Sequence, residues 1–223
     1  ITVSLEGGHQ LIATTIDVPS DISSATFFLV AAAICPGSDV LLEHVGINPT
    51  RIGVINILKL MGADIQVLNP RSVGGEPVAE LAIKYAPLNG ITIPESQIPL
   101  AIDEFPALFI AAAVAEGDTI LRGAEELRVK ESDRLAAMAA GLTLIGVKSE
   151  MYPDGIRISG DPQACFTAAE IDSQGDHRIA MAFAVASLRA AGPLRILDCA
   201  NVATSFPNFV ELSAELGLEI GVE

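Results

Sequence analysis

Three stretches of this chain, residues 22–38, 105–115 and 179–188, contain no charged side chain. Each is rich in alanine and is preceded by an aspartate (Asp21, Asp103, Asp176). Each is followed by a glycine (Gly37, Gly117, Gly192) and then by a short segment of Leu and β-branched residues. A helix that is apolar all round belongs in an interior. The glycine suits the left-handed residue that ends many helices, and the segment after it reads as a strand. A second helix is expected in every copy: "TRIGVINILKLMGADI", "SDRLAAMAAGLTLIGV" and "SFPNFVELSAELGLEI". Each begins with a Ser or Thr suited to an N-cap and leads through a second glycine into another strand. Gly37 to Gly62, Gly117 to Gly146 and Gly192 to Gly217 span 25, 29 and 25 residues. One unit used three times is therefore expected. The fold class is α/β, built of three β-α-β-α-β units around buried Ala-rich helices, with an additional strand at "AELAIKY" and "GIRISG". No stretch reads as a linker, so residues 1–223 are taken as a single domain, with repeats at about 14–93, 94–168 and 169–223.

Composition supports a packed interior. Half of the residues are hydrophobic and the mean hydropathy is +0.48, which excludes a disordered chain. Close packing of alanine helices also accounts for an aromatic content of only 4%. The longest uncharged apolar run, "FFLVAAAIC", is too short to span a bilayer. The first ten residues, "ITVSLEGGHQ", lack the basic and apolar regions of a secretory signal. They also lack an initiating Met, so the chain is expected to begin within a longer product. Cys35, Cys165 and Cys199 form no close pair, each lies in an apolar stretch, and they are read as reduced core residues of a cytoplasmic protein. A net charge of −15 argues against nucleic acid and anionic membranes as partners.

The departures from the repeat are where chemistry is expected. Between its strand and its second helix the middle copy carries "EELRVKESDR", where the first has "GINPT" and the third "NVATS". Three of the chain's 13 basic residues fall in "RVKESDR" (128–134). The ordinary fate of such a cluster is a solvated, self-paired turn. Against that, its cations stand at the helix end where the dipole disfavours them. Ser132 and Asp133 are expected to cap the following helix, with Glu131 and Arg134 beside it. In the third copy, "GDHR" places His177 and Arg178 in a first helical turn, where a cation needs an anion beside it; pairing of Arg178 with Asp176 is the plain alternative. An anion site flanked by ionisable carboxylates is the reading that covers both. The three histidines are scattered and suit no metal site, and no phosphate-loop, dinucleotide or nucleophile-elbow spacing occurs.

"RVKESDR" together with "GDHR" resembles the 5-enolpyruvylshikimate-3-phosphate (EPSP) synthase family. "DISSATFFLVAAAI", "IDEFPALFIAAA" and "ATSFPNF" fall in the same order, and the likeness runs from about Asp17 to Leu218. Only the C-terminal part of the family's sequence is matched. The resemblance implies an inside-out α/β barrel of three similar units. It also implies an N-terminal domain, absent here, that would lend this one a short segment. The implied reaction moves the enolpyruvyl group of phosphoenolpyruvate to the 5-hydroxyl of shikimate 3-phosphate and releases phosphate, without metal or cofactor. By resemblance, Asp103 contacts the shikimate hydroxyls as a candidate base. Lys130 contacts substrate and Glu131 serves proton transfer at the enol methylene. Arg134 and Arg178 grip phosphoenolpyruvate, with His177 as their neighbour. Glu126 stands where many members have Asn, and Thr204 where many have a Lys near the phosphate. Both differences resemble a second, more divergent class associated with glyphosate tolerance. Arg128 receives no role.

Two other readings are weighed. One is the UDP-N-acetylglucosamine enolpyruvyl transferase, against which the pairing of the two charged motifs argues. The other is a non-catalytic association module. Because the family's site lies between two domains, the chain alone is expected to be inactive.

Overall fold

The computed structural model describes residues 2–222. The first repeat comprises α1 (Ile22–Ile34), β1 (Asp39–Gly46), α2 (Gly53–Leu60), β2 (Asp64–Val73) and β3 (Glu76–Lys84). The second comprises α3 (Phe105–Ala113), β4 (Gly117–Leu121), α4 (Arg134–Leu144), β5 (Lys148–Tyr152) and β6 (Gly155–Gly160). The third has β7 (Ala169–Asp172), α5 (His177–Ala186), β8 (Leu194–Leu197), α6 (Asn201–Ser205) and α7 (Phe209–Glu215).

The three uncharged stretches do form helices, and α1, α3 and α5 pack against one another at the centre. All nine residues of α3 are buried, and so is α5 from Ile179 to Ala186. Alanine lets these helices approach closely without voids. The outer helices complete the layer. At Gly141 of α4 an added Cβ would lie 2.1 Å from Phe183 Cζ, so only glycine permits this approach to α5. Phe209 brings α7 onto α1, its ring 6.1 Å from Phe27 and 6.0 Å from Phe28. Among the described residues no helix is long and apolar enough to cross a membrane.

The sheets show the repeat and its limit. The first two are three-stranded and antiparallel, in the orders β1-β3-β2 and β4-β6-β5. On the far side of β1 and β4 a short extended segment makes parallel bridges (Ser20 with Val45, Thr92 with Ile120). The third sheet has only that parallel part, β7 with β8. A strand was expected after Gly217, but residues 218–222 form none. β2 and β5 each lie against a following antiparallel strand, and no such strand follows α7 among the described residues.

Other local expectations fail for identifiable reasons. Gly37, Gly62, Gly117, Gly146 and Gly217 take positive φ, but Gly192 does not; α5 ends earlier, in a 3-10 turn over Ser187–Arg189. The expected Ser or Thr caps of the outer helices are not used. Thr50 bonds Asn48 and leaves Ile52 at the N-cap of α2. Asp133, not Ser132, caps α4 through the Ala136 N–H. Asn208 heads α7 without a side-chain bond, and Ser205 ends α6. Nor are the cysteines core residues. Cys35 ends α1 half-buried, and Cys165 and Cys199 lie exposed in loops, all three as free thiols. Residues 2–18 form no helix or strand and are exposed, with Val3, Leu5, Leu11, Ile12, Ile16 and Val18 open.

Candidate active site

The two charged motifs meet. They do so because the inner helices converge, bringing the N-termini of α3 and α5 beside the turn that precedes α4. The junction is a single fully buried side chain, Arg134. Its Nε donates to Asp176 Oδ2 at 2.8 Å, its Nη1 to Asp103 Oδ1 at 3.0 Å and its Nη2 to Glu131 Oε2 at 2.5 Å. A second, longer bond joins Nη2 to Asp176 Oδ1 at 3.4 Å. Every nitrogen of the guanidinium is therefore committed to a carboxylate. A buried arginine needs this much compensation, because an unpaired charge there costs several kcal/mol.

Asp176 is equally buried and serves as the hub. Besides Arg134 it accepts from Ser132 Oγ at 3.0 Å and from the Arg178 N–H at 2.9 Å. Burial pushes its carboxyl up, but the Arg134 bond and charge, with the two other donors, outweigh this and hold it below the usual value. The plain pairing of Arg178 with Asp176 is thus confined to the backbone N–H; the guanidinium that Asp176 holds is that of Arg134. Asp176 caps α5 through the Arg178 N–H, and its bond to Arg134 joins residues 42 positions apart.

Asp103 does not cap its helix. Glu104 stands at the N-cap of α3 without a side-chain bond, and Pro106 in the first turn removes one donor. This leaves the Asp103 carboxylate among three cations: Arg134, Lys130 Nζ at 3.5 Å and Arg178 Nη2 at 4.0 Å. Burial raises its pKa, and the charges of Arg178, Lys130 and Arg134 then bring it below the ordinary value. Lys130 also reaches Glu126 Oε1 at 2.6 Å, and that bond is the main reason its pKa is raised.

Arg178 differs from Arg134. Its Nη1 donates to the Asp103 carbonyl at 3.0 Å, while among the described residues Nε and Nη2 donate to no acceptor. It is the arginine of the cluster with N–H groups still to offer. His177 opens α5 beside it; burial, followed by the neighbouring Arg178 charge, lowers its pKa and favours the neutral ring. Thr204 is exposed on α6 and bonds none of these side chains.

Arg128 acquires a role. Its Nε and Nη2 donate to the carbonyls of Pro153 and Tyr152, both at 2.7 Å, and its Nη1 to Asp133 at 2.8 Å. It ties the β5–β6 turn to the cap of α4 and so fixes the loop that carries Lys130 and Glu131.

Sequence reasoning also missed Glu104. Its carboxyl is buried against Ser23 Oγ and lies 3.7 Å from Arg178 Nη1. The one visible signal was an acid immediately before an uncharged helix.

Comparison with known proteins follows this geometry. The sequence profile of the family described as EPSP synthase (3-phosphoshikimate 1-carboxyvinyltransferase) matches residues 2–212. The 3-phosphoshikimate 1-carboxyvinyltransferase of Methylococcus capsulatus is 64% identical over 99% of this chain and 50% of its own length. That of Alkalilimnicola ehrlichii is 62% identical over 98% of this chain and 48% of its own length. The EPSP synthase structure from Acinetobacter baumannii superposes with a TM-score of 0.94 at 58% identity, covering 97% of this chain and 50% of that one. An enolpyruvyl transferase from Streptomyces tendae, at 18% identity and a TM-score of 0.69, shares the fold. The architecture is accordingly the inside-out α/β barrel, and the chain spans about half the length of the relatives it matches. By sequence and by structure, this chain belongs to the EPSP synthase family.

Proposed function

We propose that this chain supplies one wall of an active site that transfers the enolpyruvyl group of phosphoenolpyruvate to the 5-hydroxyl of shikimate 3-phosphate. The observation that carries the reading is the contrast within the cluster. Arg178 has donors to spare, Arg134 is held by three carboxylates, and Asp103 lies against both, with Lys130 beside it and Glu131 on Arg134.

Each role follows from what the side chain touches. Arg178 offers Nε and Nη2 to a carboxylate or phosphate in the bidentate fashion that a guanidinium suits. Arg134 joins it when an incoming anion takes the Nη2 donor from Glu131. That exchange frees the Glu131 carboxylate, half-exposed at the rim, to move a proton at the enol methylene. Asp103, anionic among its cations, accepts a proton from the attacking hydroxyl or orients it. The hydroxyl oxygen adds to C2 of the enol phosphate as C3 gains a proton. Loss of that proton and departure of phosphate then restore the double bond in the product. Lys130 stabilises negative charge on substrate beside Asp103, and His177 remains a neutral neighbour. Glu126 holds Lys130 in place, and Thr204 stands at the outer edge with a hydroxyl. No cofactor or metal has a step in this scheme.

The remainder of the enzyme is the proposed partner and provides the other wall. Two features support this. The open edge of β8 stands where β1 and β4 have β3 and β6, so an antiparallel strand fits it. The apolar side chains of residues 2–18 have nothing to cover them. A cytoplasmic location goes with this reading, as do the three free thiols.

The test is phosphate release from both substrates. The chain alone should give none, and addition of the N-terminal half of a relative should restore turnover. Turnover by the chain alone would overturn the one-wall reading. No turnover in a folded, associated pair would overturn the function.

A further inference from the structure

Glu104 is a buried ionisable group that the mechanism above does not use. Its side chain is 4% exposed and does not cap the helix it heads. It turns instead toward the first repeat, where it accepts from Ser23 Oγ, itself buried at the start of α1. Ser23 Oγ has a single proton, which it gives to Glu104; in return it accepts from Arg51 Nη2 at 2.8 Å. Arg51 in turn lies 3.3 Å from Asp21, the cap of α1. The Glu104 oxygen that accepts from Ser23, Oε1, also lies 3.7 Å from Arg178 Nη1.

An unbroken series of polar contacts thus runs from Arg51 through Ser23 and Glu104 to Arg178. It joins the first repeat to the junction of the second and third. The geometry also says how Arg178 is braced. Nη1 is held by the Asp103 carbonyl and faces Glu104, while among the described residues Nε and Nη2 make no hydrogen bond, Nη2 lying 4.0 Å from Asp103 Oδ2. Burying a carboxylate is costly without a nearby cation, and Arg178 and Arg51 are the two cations here.

We infer that Glu104 is a positioning residue for Arg178: its carboxylate fixes the Nη1 side of the guanidinium, so that Nε and Nη2 form the open face of the anion site. This deepens the proposed function and, for its consequence in catalysis, rests on it. Burial raises the pKa of Glu104, against the Ser23 bond and the Arg178 charge, which lower it. The brace therefore loosens on protonation at a higher pH than an ordinary glutamate allows.

The test follows arginine Nε–Hε resonances in the ligand-free chain, which does not depend on any activity. Glu104→Gln keeps the size and a hydrogen-bonding partner for Ser23 but removes the charge. It should speed hydrogen exchange at Arg178 Nε about tenfold, the effect of losing a charged contact, and leave Arg134 Nε unchanged. Glu104→Ala should do the same, and Ser23→Ala should have a smaller effect in the same direction. A Glu104→Gln spectrum in which Arg178 is as in the parent overturns the inference. Should the variants not fold, the parent chain carries the test by itself. The Arg178 Nε shift must then titrate with the midpoint of the Glu104 carboxyl carbon, distinct from that of Asp103, the other acid facing the group. A different midpoint, or no movement, overturns it. Inorganic phosphate added afterwards separates the two proposals. If the parent fails to perturb Arg178 with phosphate but the variant effect stands, the anion site is wrong and the brace is right.

Discussion

The turn before α2 and the turn before α4 occupy the same place in successive repeats, yet they are built on different physics. In the first, Asn48 bonds Thr50, and Arg51 reaches Asp21 and Ser23 from a half-exposed position. In the second, Arg134 is fully buried, and its carboxylates come from the preceding turn, from α3's approach and from the third repeat. The unit folds with either. A solvated turn suffices for the first repeat, so the buried network at 128–134 is an addition that the repeat itself does not dictate.

The sharpest way to break this comparison is to remove the aspartates that cap α1 and α5. Asp176→Ala leaves a buried guanidinium short of its main partner and should cost about 3–5 kcal/mol. Asp21→Ala removes a cap bond and an exposed pair and should cost about 1 kcal/mol. Urea unfolding measures both, and equal losses would erase the distinction between the two turns.

Acid should show the same asymmetry. Asp103 and Asp176 have folded pKa values below the ordinary one. Their contribution is therefore fully present above about pH 3.9 and is lost as pH falls below it. Asp176→Asn should flatten that acid limb in a series of unfolding curves between pH 5 and 2, whereas a limb of unchanged slope would mean that the acid sensitivity lies elsewhere.

Arg128→Ala comes next. It forfeits two carbonyl bonds and the pair with Asp133, and should lower stability by about 1–2 kcal/mol. Its exposed counterpart, Arg51→Ala, should stay within about 1 kcal/mol. Calorimetry of both variants decides the order.

The smallest stability effect belongs to Glu131→Gln, within about 0.5 kcal/mol because the side chain is half-exposed. Its binding effect has the opposite sign to its catalytic one. Freeing Arg134 Nη2 should tighten inorganic phosphate by roughly threefold in a titration, in keeping with a partly screened ion pair. The same change should depress turnover once the enzyme is completed. Weaker phosphate binding would show that the Glu131 pair does not compete with a ligand.

Much of this was legible in the sequence. Uncharged runs closed by glycine marked α1, α3 and α5, because a helix with no polar face has only the interior to occupy. Scarce cations in an acidic chain marked Lys130, Glu131, Arg134 and Arg178. What could not be read was partner choice across the repeats. Asp176 stood out only as the acid ahead of an uncharged helix and a neighbour of Arg178, whereas its main partner arrives from 42 residues away. Ser132 resembled a cap because a helix follows it, but Asp133 competes for the Ala136 N–H and releases Ser132 to Asp176. The missing strand after α7 was hidden too, since a strand's existence depends on a neighbour that its own residues do not specify.

The account rests on the claim that the second turn and α5, not the repeat at large, carry substrate chemistry. The direct measurement is kcat/KM for phosphoenolpyruvate in the completed enzyme, comparing Arg178→Gln with Asn48→Ala in the turn before α2. The account predicts a fall of about 10²–10³ for the first, the loss expected of a charged donor at a developing negative charge, and a change within about twofold for the second. Comparable falls in both, or none at Arg178, would contradict it.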